Sequence, residues 1–256
     1  MAGIPLSDDY RGRRVPVVTY LLIAACVSVY LLSPMSMLAF WYGDSLVSRV
    51  CPVDVYVWRW GAIPVELLSG DQLPYSGGCS GGEFTKVPWV SAFTAMFLHG
   101  DAVHLMSNMV FLFVFGPVVE DRLGRLRYLG LYTATGLIAT YAYALGTPDA
   151  DMPLVGASGA VSGVLGAYLL VQRRSRIIFL ALFVLPIRLP GWVMVGTYFV
   201  LQYFLYVSVS LFPSADGDSG NIAYAAHVYG FIGGVIGGLL IHRIRWRAGT
   251  RLSDVY

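Results

Sequence analysis

The chain has 256 residues, 57% of them hydrophobic and 12% charged, with a net charge of +2. Soluble domains carry about 25% charged residues, so this composition, with a mean hydropathy of +0.66, excludes an ordinary soluble domain and points to a polytopic membrane protein. The small net charge and the lack of a basic, aromatic-interleaved patch exclude nucleic acid as a partner, and neither a phosphate-cradling loop nor a metal-ligand spacing of the three cysteines is present.

Crossing about 30 Å of hydrocarbon takes about 20 apolar residues in a helix. The first such run is residues 15–32. Its flank "RGRRV" looks like a signal-peptide n-region, but the apolar run is too long and "LLSPMSM" is a poor cleavage site, so a retained anchor is expected. Residues 33–92 then form a long connection, glycine-rich around "PYSGGCSGGEF". Apolar runs follow at 103–119, 128–145, 156–171 (the shortest), 192–212 and 223–241. Residues 177–187 are apolar over about half a span; with Pro186 inside and Pro190 after, they read as an interfacial segment or loop. The predicted fold is all-α: one membrane domain over 1–256 with six transmembrane helices, flanked by tails 1–14 and 242–256.

Charge gives the orientation. Arg11, Arg13 and Arg14 precede the first span, and Arg122, Arg125 and Arg127 lie between the second and third. Arg173, Arg174, Arg176 and Arg188 follow the fourth, and Arg243, Arg245, Arg247 and Arg251 follow the sixth. Thus 14 of 17 basic residues fall on one side, leaving Arg49, Arg59 and Lys86 on the other. The positive-inside rule predicts both termini in the cytoplasm and 33–92 outside. Cys51 and Cys79 then face an oxidising compartment, where they can pair or remain two thiols. Cys26, inside the first span, reads as packing.

Counting inward from the flanking charges places the polar residues by depth. Ser158 lies 15 residues before Arg173 and His227 16 before Arg243, or about 22 and 24 Å at helical rise. His104 and Asn108 precede Glu120 by 16 and 12 residues, or about 24 and 18 Å. Four polar groups from three helices share a level. Each has a structural reading: a serine in a span can bond its own backbone at a tight helix contact, and His99 reads as an interfacial side chain. Polar groups in the bilayer are nonetheless expensive and usually face a cavity or partner.

The glycines govern who can touch. Gly159, Gly163 and Gly166, and Gly230, Gly234 and Gly238, suit close helix approach, with Gly233 and Gly237 offset by one. Such packing can bring Ser158 to His227, and a serine beside a histidine base is an activated nucleophile. His104 and Asn108 share one helix face and can offer donors to a developing oxyanion. Gly156 and Gly159 flank the serine and let a substrate backbone approach. No acidic residue lies at this depth, so a dyad is expected rather than a triad.

These residues resemble the rhomboid family of intramembrane serine proteases. "FTAMFLHGDAVHLMSNM" is similar to its H-x-x-x-x-H-x-x-x-N segment, with His99, His104 and Asn108 in place. "GASGAVSG" resembles the nucleophile motif at Ser158, and "AHVYGFIGG" the last-span motif at His227. "FGPVVEDRLGR" resembles the family's E-x-R-x-G turn through Glu120, Arg122 and Gly124. A Trp-Arg pair common in the family is replaced here by Val90 and Ser91, with Trp89 one step further out.

The resemblance implies a serine endopeptidase that cleaves transmembrane segments of membrane proteins near the outer boundary of the bilayer. It requires neither metal nor organic cofactor. The compact six-span form implies a bacterial inner, or plasma, membrane. Two other readings fit a polytopic chain: a catalytically inactive relative that binds transmembrane segments, and a transporter relaying protons through His104 and His227. A transporter of that kind usually shows intramembrane carboxylates or an internal repeat, and neither is present in the sequence.

Overall fold

The six apolar runs all become helices. The computed structural model describes residues 3–10, 12–43, 45–77, 79, 84–172, 174–181, 185–211 and 220–247. In chain order the elements are β1 (Gly3–Asp8), α1 (Val17–Leu32), α2 (Leu46–Trp60), α3 (Pro64–Ser69), α4 (Pro88–Thr94), α5 (Ala102–Leu123), α6 (Arg125–Gly146), α7 (Ser158–Val171), β2 (Arg176–Ala181), β3 (Leu185–Pro190), α8 (Gly191–Leu211) and α9 (Gly220–Arg247). By length and apolarity α5, α8 and the Tyr224–Ile241 part of α9 can cross a membrane, while α1 and α7 are apolar but shorter.

Lipid tails give two helices no hydrophobic reason to associate, so contact rests on close packing. The glycines of α7 and α9 supply it. A Cβ on Gly230 would strike the carbonyl of Gly159, one on Gly234 the carbonyl of Gly163, and one on Gly166 the carbonyl of Phe231. The backbones themselves touch along this seam. α6 closes the third side, with Thr135 against Gly163 and Ala139 against Gly159.

The turn between α5 and α6 explains the acidic-arginine-glycine motif. Gly124 has φ +85°, a left-handed conformation that favours glycine, and its N–H donates to the Glu120 carbonyl. The buried Glu120 carboxylate accepts the backbone N–H groups of Val18 at 3.0 Å and Thr19 at 2.8 Å, capping α1. Arg122 donates to Gln172 at the end of α7, 2.7 Å away. One short motif thereby ties three helices.

Two expectations need correction. The described residues of 177–187 are strand rather than loop: β2 and β3 pair antiparallel. Within the leading tail β1 pairs antiparallel with β2, Ile4 opposite Leu180. The fold is therefore mostly helical with a three-stranded sheet in the order β1-β2-β3, not all-α. Ile177 of β2 is fully buried. Asp8 fastens the first strand by accepting from the Tyr168 hydroxyl and from Ser175.

The connection from α1 to α5 carries α2, α3 and α4. Of the two states open to Cys51 and Cys79, the structure has the disulfide; Cys26 is buried. Lys86 Nζ pairs with Glu66 at 2.5 Å, both side chains buried, and donates to the Trp58 carbonyl. Burial pulls the Lys86 ammonium below its ordinary range, with Glu66 opposing. The disulfide spans 28 residues, which corresponds to about 3–4 kcal/mol by loop entropy. Reduction, or Cys51→Ser with Cys79→Ser, is expected to lower the apparent Tm of the purified protein. An unchanged Tm would count against a structural role for the bond.

Candidate active site

The segment before α7 is held from outside. Ala62 and Leu154 exchange backbone hydrogen bonds of 2.9 and 2.7 Å, and the Gly156 N–H donates to the Ala95 carbonyl at 2.9 Å. Gly156 has φ +131°, and a Cβ there would lie 2.9 Å from both Cε1 and Nε2 of His104. Conformation and space thus both require glycine. Two residues later Ser158 opens α7. The first N–H groups of a helix have no intrahelical acceptor and carry its positive end, so the serine sits where negative charge is favoured.

His104 comes from the first turn of α5, whose start is capped by Asp101 accepting the His104 N–H at 2.8 Å. The Ser158 Oγ lies 3.6 Å from the Gly156 Cβ point that the His104 ring also approaches, so both side chains border the space beside Gly156. Behind them His99 is buried, its ring edge-on to His104 with centroids 5.1 Å apart. His99 is therefore a packed residue, not an interfacial one. Ser158, His104, Gly156 and Gly159 share the wall of a cavity of about 40 Å³ with Met96, Leu154 and Ala226. That volume has room for water beside the serine.

The other two candidates are placed differently. Asn108 is buried one turn along α5, and its Nδ2 donates to the His104 carbonyl at 3.0 Å. It does not line the cavity. His227 sits on α9 next to Ala226, which does. Gly159, the residue after Ser158, packs against Ala226 and Gly230 on that helix. His227 Nδ1 lies 2.9 Å from Gln202 Oε1, while its Nε2 is buried without a hydrogen-bond partner among the described residues. No hydrogen bond joins Ser158 to His227 among those residues. The backbones of α7 and α9 adjoin at Gly159 and Gly230, one residue after Ser158 and three after His227.

Gln202 was not among the residues singled out from sequence. The available signal was its chemistry: it is the one amide side chain in the run 192–212, and a polar group there calls for a partner. Among the described residues no cluster of histidine, cysteine and carboxylate side chains could hold a metal. A wider groove of about 610 Å³ lies between α2 and the segments around Met35 and Met152, and none of the candidate residues lines it.

A hydroxyl at a helix start, an imidazole beside it and a second imidazole with a bare nitrogen are the parts of a nucleophilic site. Comparison with known proteins places the chain in a family. The Rhomboid domain family matches residues 86–244, a range containing His104, Asn108, Ser158 and His227. The rhomboid protein YdcA of Bacillus subtilis (strain 168) is 31% identical over 127 residues, 48% of this chain and 61% of YdcA. The rhomboid protease GluP of the same organism is 30% identical over 146 residues, 57% of this chain and 25% of GluP. Rhomboid protein 1, mitochondrial, of Saccharomyces cerevisiae is 31% identical over 162 residues, 60% of this chain and 42% of that protein. The matches thus span less than two thirds of these relatives' own lengths. With helices apolar enough to cross a membrane and this match over more than half its length, the chain is an integral membrane protein that belongs to the rhomboid family.

Proposed function

We propose that the protein is an intramembrane serine endopeptidase in which Ser158 attacks the scissile carbonyl and His227 is the base. The observation that carries this reading is the state of His227: one ring nitrogen is engaged, and the other is buried and bare, on a helix whose backbone touches the serine's. A buried nitrogen without a partner is costly, and a serine hydroxyl turning toward it removes the cost while activating the nucleophile. Relatives named as proteases support a peptidase. Water for the second half-reaction has a place in the cavity beside Ser158.

The proposal includes the setting. α1, α5, α6, α7, α8 and α9 are the six spans, both termini are cytoplasmic as the arginine asymmetry requires, and the membrane is a bacterial inner membrane. The substrate is a transmembrane segment cut near the outer boundary, with Gly156 and Gly159 leaving room for its backbone. The test is a serine-reactive fluorophosphonate together with cleavage of a transmembrane reporter. Labelling and cleavage by the wild type, both lost in Ser158→Ala, support the reading. Absence of both in folded wild type favours a binder without activity.

His104 and Asn108 are proposed to stabilise the oxyanion. His104 lines the same cavity as Ser158, whereas Asn108 has one amide hydrogen committed to its own helix. Removal of one oxyanion donor costs on the order of 10²–10³ in turnover; an interhelical side-chain bond in a membrane averages about 0.6 kcal/mol. His104→Ala and Asn108→Ala are each expected to lose turnover on the larger scale, with KM little changed and Tm nearly held. Near-normal turnover in either variant removes that residue from the mechanism.

A further inference from the structure

Helix α8 turns a narrow stripe inward. Its buried residues are Gly191, Met194, Val195, Tyr198 and Gln202, spaced along one face, while Val200, Tyr203 and Phe204 are exposed on the others. The two polar members of the stripe each meet one partner. Tyr198 shares a 2.7 Å hydrogen bond with Ser162 of α7, and Gln202 meets His227 of α9 at 2.9 Å.

We infer that Gln202 is a positioning residue that sets the tautomer and the ring orientation of His227. The inference rests on the assignment of His227 as base. An amide carbonyl oxygen can only accept, so Gln202 Oε1 facing Nδ1 requires the proton on Nδ1. In the neutral ring the lone pair is then on Nε2, the nitrogen left bare. A base needs that lone pair, and the opposite tautomer would present an N–H to the serine instead. The same bond stops the ring turning about its χ2 axis. Gln202 thus fills the place for which the sequence offers no carboxylate, using a neutral acceptor that is less costly in an apolar bundle than a charge.

A neutral acceptor also has an electrostatic signature. As His227 takes the serine proton, the Nδ1–H bond strengthens, so the acceptor stabilises the imidazolium. Removing the acceptor makes imidazolium harder to form; replacing it by a carboxylate makes it easier. The titratable groups around the ring are few. His104 of α5 and Ser158 of α7 line the cavity that neighbouring Ala226 also lines, and Tyr224 on its own helix lies edge-on at 6.5 Å. Tyr206 of α8, Tyr229 of α9 and Tyr143 of α6 pack around Ala225 and Ala226.

The experiment measures kcat and KM for a transmembrane reporter across pH, with Tm, for full-length wild type, Gln202→Leu and Gln202→Glu. Gln202→Leu is expected to lose on the order of 10–100-fold in kcat, the range for removing an orienting partner of a histidine, with KM little changed. Its acid limb should move to lower pH. Gln202→Glu, which restores an acceptor of the same shape, should recover much of kcat and move the acid limb to higher pH. Opposite shifts are the signature, because a packing role moves neither limb. Unshifted limbs in both variants, or wild-type kcat in Gln202→Leu, overturn the inference. If Gln202→Leu does not fold, an unshifted limb in Gln202→Glu overturns it alone. Fluorophosphonate labelling of the wild type separates the two levels: labelling with normal Gln202 variants sinks only this inference, whereas no labelling sinks the base assignment beneath it.

Discussion

Ser158→Ala and His227→Ala are each expected to lower reporter cleavage by on the order of 10⁶-fold, the scale on which a serine hydrolase loses its nucleophile or its base. The double variant should be no worse than either single one, because a hydroxyl without a base and a base without a hydroxyl are equally idle. Folding should survive both changes. Ser158 lies at a helix start beside a cavity, so removing its oxygen opens little new space, whereas His227→Ala leaves the buried Gln202 amide oxygen without its histidine partner and costs some stability. Purified, folded variants with no turnover are the expected result, Ser158→Ala at wild-type Tm and His227→Ala with a small fall. Additive losses in the double variant would mean that the two residues act separately. Ser162→Ala is an informative control: it unpairs the buried Tyr198 hydroxyl, so it should cost stability and leave the nucleophile in place.

Gly234→Leu is expected to have a comparably large effect by a different route. The Cβ would enter the Gly163 carbonyl, and neither atom belongs to a flexible side chain that could move aside. Overpacking of ordinary cores costs about 1–3 kcal/mol. Here a whole helix must shift, so a loss of about 3 kcal/mol or more is expected. Displacing α9 along this seam also separates His227 from the serine's helix. Activity should therefore vanish together with a clear fall in Tm, in contrast to the dyad variants. Gly238→Leu should be milder, since its nearest obstacle is the end of the Leu170 side chain. A folded, active Gly234→Leu protein would show that the seam does not hold the site.

The helices and the seam were legible because their signals are local. Apolar runs of the right length became helices, and small residues four apart became the contact between α7 and α9. Depth counting grouped Ser158 with His104, and the structure brings these two to one cavity. It could not show that Asn108 donates to its own helix, since depth says nothing about side-chain direction. Gln202 escaped for the related reason that no motif fixes which face of α8 turns inward. The sheet escaped because β1 and β2 are distant in sequence, and "GIPLSD" becomes a strand only when "RIIFLA" lies beside it. The cysteine pairing likewise depends on how α2 is placed against the loop that follows α3.

The bridge between Ala62 and Leu154 changes what counts as the smallest working piece of this protein. The family match begins at residue 86, and a fragment cut there would retain Ser158, His227, His104, Asn108 and Gln202. It would lack the strand-like clasp at Ala62 that fixes the backbone four residues before the nucleophile. It would also lose Glu66 and Trp58, the two partners of the Lys86 ammonium. Chimeras that join this helical bundle to another rhomboid's connection between α1 and α5 should therefore exchange the segment from α2 onward as one block, because the backbone leading to Ser158 is held partly by Ala62 of that segment.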